Sequence, residues 1–188
     1  MRRRALYILI LAAVVVLAAS GSVSAVPTRP DAGPIRYGGP ISYAQVMLRA
    51  TDWWRRDVPY SQDNSRAVWD VNRGRRYRPD CSGFVSMAWA LDPRQPGLGR
   101  APVTWELPSF AVPIAWSSLR GGDILLKLVP ADRALEHVRL FGGWLDRART
   151  TAWVFEESGP PDGMRRSLIV SVSAARSGYV PYRYRRIY

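Results

Sequence analysis

Cysteine, histidine and lysine each occur once in this chain of 188. A lone cysteine excludes an internal disulfide, so stability has to come from packing, for which eight tryptophans offer large apolar area. One cysteine and one histidine also fall short of the four ligands that a structural zinc site takes. Acidic residues are few as well, 15 against 27 lysines and arginines, leaving a formal net charge of +12. Such a field holds a protein near polyanions, although an excess of arginine also serves solubility alone.

Long apolar runs are missing too. The best candidate, Ala5 to about Ala19, is shorter than the roughly 20 residues that span a bilayer. It lies between the basic Arg2-Arg3-Arg4 and the small residues Val23-Ser24-Ala25, so residues 1–25 read as a signal peptide cleaved after Ala25 rather than as an anchor. The expected location is secreted, outside the cell, with membrane contact only through this segment where it stays uncleaved. Losing Arg2, Arg3 and Arg4 with no acidic residue takes the formal charge from +12 to +9. For an exported protein the matching polyanions are wall polymers or lipid headgroups rather than nucleic acid. Taking 25 from 188 leaves 163 residues, enough for one domain with a real core. A monomer is expected.

Residues 26–40 are rich in proline and glycine without apolar periodicity, which predicts a flexible leader. Val46, Met47, Ala50, Trp53 and Trp54 recur at near-helical spacing and predict an amphipathic helix over about 41–56. Tyr60 and an arginine-rich polar loop follow, then Arg78-Pro79-Asp80-Cys81-Ser82-Gly83-Phe84. Asp80 is a good N-cap, and Phe84, Ala88 and Leu91 repeat at helical spacing before Asp92-Pro93. After a Pro- and Gly-rich connection in which Trp105 and Phe110 are the expected core anchors, the texture turns to short strands. These are predicted near 123–127, 137–141, 151–155, 167–172 and 179–184. Helices first and about five mostly antiparallel strands afterwards define an α+β domain over 41–188.

Cys81 falls in the first turn of its helix, where free backbone N–H groups and the positive end of the helix dipole favour an anion such as a thiolate. It is a candidate nucleophile; the alternative is a small core residue. Ser82 and Gly83 leave an open approach where a carbonyl oxygen could reach backbone donors. A nucleophilic thiol needs a base, and only His137 can serve, brought near by the fold. A third group should orient the imidazole. Glu156 and Glu157 end the following strand, and alternation puts only one on the His137 side. If Trp153 and Phe155 face the core, that one is Glu156. Glu136 should point away from His137.

Asp80-Cys81-Ser82-Gly83-Phe84, then Leu119-Arg120-Gly121-Gly122-Asp123-Ile124-Leu125, then His137-Val138 opening a strand, resembles the NlpC-type papain-like cysteine peptidases of bacterial cell walls. The likeness runs over about 41–188. It implies a papain-like fold with the cysteine at a helix N-terminus packed on an antiparallel sheet that carries the base. It also implies hydrolysis of amide bonds in peptidoglycan stem peptides by Cys81, His137 and Glu156, without metal or organic cofactor. Tyr60 matches a family tyrosine that contacts substrate or oxyanion; a core aromatic is the alternative. The chain departs from the family in having Gly121 in place of a proline, Arg139 in place of a small residue, and a later third polar residue. Two other outcomes fit the residues: an inactive basic wall-binding protein, and an acyltransferase using the same thiol.

Overall fold

A computed structural model describes residues 34–94, 97–169 and 171–188, apart from the side chain of Leu168. The expected signal peptide and residues 26–33 of the expected leader lie outside the described residues. Residues 34–40 are tied to the domain, contrary to a leader that runs to Pro40. Ile35 and Tyr37 pack on the core, Tyr37 Oη donates to Asp70 at 2.6 Å, and Gly38 N–H donates to the Ala90 carbonyl at 2.8 Å.

Helix α1, Tyr43–Arg55, starts in a capping box between Ser42 and Gln45 and buries Val46, Ala50 and Trp53. Arg49 is buried on the same face, its guanidinium holding Asp70 at 2.9 Å, Asn72 at 2.7 Å and the Met87 carbonyl at 2.8 Å. With Tyr37 and Gly74 also bonded to Asp70, this buried charge is fully partnered, as burial requires. The loop expected after Tyr60 contains a small hairpin, β1 Val68–Trp69 and β2 Arg76–Tyr77.

Helix α2, Cys81–Ala88, is capped by Asp80, whose side chain accepts the Gly83 N–H at 2.8 Å. It ends before the predicted Leu91, because Ala90 turns to a φ of +52° and the Leu91 N–H closes on the Ser86 carbonyl. Strand β3, Ala111–Pro113, follows a 3₁₀ turn over Thr104–Phe110 in which Leu107 is buried while Trp105, expected as an anchor, stays exposed. Then come β4 Ile124–Lys127, β5 His137–Trp144, β6 Ala152–Ser158 and β7 Gly163–Ile169. Helix α3, Val172–Arg176, begins where the last part of a strand was predicted, capped by Ser171. Strand β8, Val180–Tyr184, completes the set.

Strands β3 to β8 form an antiparallel sheet in the order β3-β8-β4-β5-β6-β7, one strand more than predicted. The α+β class is as the sequence reads. Alternation splits the core cleanly. Ile124, Leu126, Val138, Leu140 and Phe155 face α1 and α2, whereas Leu125, Phe141 and Val154 face the other layer with Leu119 and Val172. Helix α2 lies against β5 and β6, which carries its first turn to the start of β5.

Candidate active site

Asp80 does more at the start of α2 than cap it. Its Oδ1 accepts both the Gly83 N–H and the Ser82 hydroxyl, at 2.8 and 3.2 Å, and its carboxylate pairs with Arg78. Ser82 and Gly83 are therefore not the open substrate contacts expected of them: the hydroxyl is buried and the Gly83 N–H is taken. Glycine is needed at 83 for a different reason, since a Cβ there would sit 1.8 Å from the Arg78 carbonyl oxygen. The donors left open in the first turn, among the described residues, are the backbone N–H groups of Cys81 and Ser82.

Cys81 is half-buried, with its sulfur 3.6 Å from Thr104 Oγ1. It adjoins His137 more loosely, close enough to couple to the ring. His137 opens β5, and its Nε2 meets Glu156 Oε2 at 3.0 Å. Glu156 is on the His137 side because Phe155 and Trp153 pack toward the helices, as alternation predicts. Glu136 is turned to Arg133 and the Val129 N–H.

Burial alone would push the His137 imidazolium down. Hydrogen bonding to Cys81 and Glu156, and the negative charge of both, outweigh it and raise the pKa to about 9. Burial likewise opposes ionisation of Glu156, which is 1% exposed. Hydrogen bonds from His137 and Ser167 and the charges of Arg139 and His137 hold its carboxyl well below the usual carboxylate range. At neutral pH the resting pair is thus an imidazolium facing sulfur on one side and a carboxylate on the other.

Two neighbours, Arg165 and Thr104, were not foreseen. Arg139, the departure from the family's small residue, is engaged with Glu156. Its Nε is 2.8 Å from Glu156 Oε2, and its guanidinium lies 5.0 Å from the Tyr179 ring centroid. Arg165 holds the other oxygen, Oε1, at 3.2 Å, from directly across the β6–β7 pair. Thr104 comes from the connection after α2, for which the sequence carries no signal. For Tyr60, burial raises the pKa, the Gln62 amide opposes the rise, and the charges of Cys81 and Asp80 add to it. Its hydroxyl accepts from Gln62 at 2.9 Å.

Glu157 has another environment. Its side chain faces the helices at 0% exposure, and neither carboxyl oxygen has a hydrogen-bond partner. Burial first, then the charges of Asp80, Asp57 and Cys81, raise its pKa to about 8, so it is a neutral acid where Glu156 is an anion. Among the described residues no group of three or more His, Cys, Asp or Glu is placed to hold a metal ion.

Glu156→Gln is expected to leave two guanidiniums and the imidazolium without their shared anion. The cost should be about 3 kcal/mol, the low end for breaking a buried pair because both arginines reach solvent. Urea unfolding of the variant checks this; an unchanged midpoint would mean that the cluster is stabilised elsewhere. No model of a known protein family matches the chain, and no curated protein matches it.

Proposed function

We propose that this protein is a papain-like cysteine amidohydrolase acting on peptide bonds of the bacterial cell wall, secreted to reach them. The observation that supports the chemistry is that the chain's sole thiol, in the first turn of α2, couples to its sole imidazole, whose Nε2 is held by a buried carboxylate at 3.0 Å. The order of the Asp-Cys-Ser-Gly-Phe, Gly-Asp-Ile-Leu and histidine-strand motifs, together with the net positive charge, supports the wall peptide as substrate.

The Cys81 sulfur, a thiolate beside the His137 imidazolium, attacks the carbonyl carbon of the scissile amide. The N–H groups of Cys81 and Ser82 point to where the carbonyl oxygen gathers charge. The imidazolium returns its proton to the departing amine nitrogen as the carbon–nitrogen bond breaks, leaving a thioester. Water then attacks the thioester with His137 taking its proton, the carbon–sulfur bond breaks, and the thiolate–imidazolium pair is restored. Glu156 keeps the ring in one tautomer and matches its charge throughout. Tyr60 stands beside the incoming carbonyl.

Purified stem peptides incubated with the protein should yield new free amines. Alkylation of its single thiol with iodoacetamide should stop the release. Undiminished release from fully alkylated protein would exclude Cys81 as nucleophile, and products carrying a transferred acyl group would make it an acyltransferase.

A further inference from the structure

A cavity of about 460 Å3 shares Asp80, Ser82 and Gly83 with the start of α2 described above but is lined by none of Cys81, His137 and Glu156. It falls within the roughly 300–1,000 Å3 of small-molecule sites. Asp80, Ser82 and Gly83 form one wall, the β1–β2 hairpin supplies Trp69, Arg75 and Arg76, Arg78 follows it, and Arg94 and Arg100 flank the cavity from the connection after α2.

Five guanidiniums around one space repel each other unless anions lie between them. The carboxylates present number three. Asp80 pairs with Arg78, Glu106 takes Arg100 through both oxygens at 2.8 and 3.0 Å, and Asp92 lies 3.3 Å from Arg75. Asp92 is also the nearest anion to Arg94, at a loose 3.9 Å. Arg76 has no carboxylate partner among the described residues and lies over the Trp69 ring, 5.2 Å from its centroid. Arg78 Nε is buried with no acceptor. A buried donor without an acceptor is unfavourable, and an oxygen brought in from outside relieves it. The surplus of positive charge, the idle donor and the cavity share one place.

We infer that this cavity binds a small multivalent oxyanion bearing phosphate or carboxylate groups, held by Arg76 and Arg94 and reaching Arg78. The planar guanidinium fork matches both kinds of oxyanion, and an aromatic wall at Trp69 suits a ligand with an apolar portion. The inference goes beyond the hydrolase reading and stands whether or not Cys81 is a nucleophile.

Titration calorimetry of the full chain at low salt, with pyrophosphate and citrate as separate probes, tests it. At least one probe should show saturable one-site binding that weakens as salt rises to about 0.15 M. The double variant R76A/R94A should lose affinity at least about tenfold with its thermal midpoint kept, because both side chains are exposed; R76Q/R94Q serves if the first does not fold. Cys81→Ala should bind as wild type does. Preference for pyrophosphate or citrate assigns the ligand to the phosphate or carboxylate class. Absence of saturable binding by either probe, or binding unaltered in the double variants, overturns the inference.

Discussion

Cys81→Ala is expected to reduce amide hydrolysis at least about 10⁴-fold, to background, because no other group can form the thioester. The fold should not notice. The sulfur is half-buried and its recorded neighbours are Thr104 Oγ1 and the His137 ring, so the thermal midpoint should stay within about 2 °C. The informative readout is the imidazole. With a single histidine in the chain, one NMR titration reports His137 alone. Burial pushes its imidazolium down, and Cys81 and Glu156 together raise it to about 9. Removing the sulfur leaves Glu156 as the main support, so the titration should move to lower pH. The stability sign follows. A histidine raised above its ordinary 6.5 stabilises fully below that pH and loses the contribution as pH climbs through about 9. In the variant that loss should begin earlier. Wild-type turnover should fall on the same alkaline side, as the imidazolium gives up the proton meant for the leaving amine. Retained turnover with an unmoved titration would refute the pairing.

Glu157→Gln is expected to stabilise the protein increasingly as pH rises from acid to neutral. The Glu157 carboxyl is wholly buried and without hydrogen bonds, and its pKa stands at about 8 against an ordinary 4.5. Below about pH 4.5 it is protonated in both folded and unfolded chains. Between there and about 8 the unfolded chain has released a proton that the folded chain keeps, so stability falls with rising pH. At pH 7 this amounts to about 3 kcal/mol. Glutamine does not titrate, so the difference between variant and wild type should grow from pH 4.5 to 8 and then level off. His137 titrates in both proteins, which largely removes its contribution from the comparison. A difference independent of pH, measured by urea unfolding across that interval, would show that Glu157 is ionised in the folded protein.

The separation of these two adjacent glutamates was legible in the chain because period-two alternation is strict within a strand. Knowing that Trp153 and Phe155 face the helices assigns Glu156 to the His137 side. Asp80 was likewise legible as the cap that puts Cys81 in the first turn. The arginine clamp on Glu156 was harder to see. Arg139 faces Glu156 through the β5–β6 register, which shifts at the bulge between Phe141 and Gly143, so counting outward from the turn misplaces it. Arg165 lies directly across from Glu156, but a turn centred midway between Gly159 and Gly163 would set Glu156 opposite Arg166 instead, so this register was not legible from the turn residues alone. Ser82 and Gly83 were misjudged because a cap uses up the polar groups that make a first turn look receptive. The apolar run 167–172 read as strand throughout, although Ser171 starts a helix once its side chain takes the Ala174 N–H.

Strand β8 fills a gap between β3 and β4, and residues just beyond it bond back to Ile41 and Tyr43 at the start of α1. The latest-made of the eight strands is therefore an interior one. A nascent chain still short of residue 180 has β4 unpaired on one edge and no clasp on α1, so the scaffold behind His137 is incomplete.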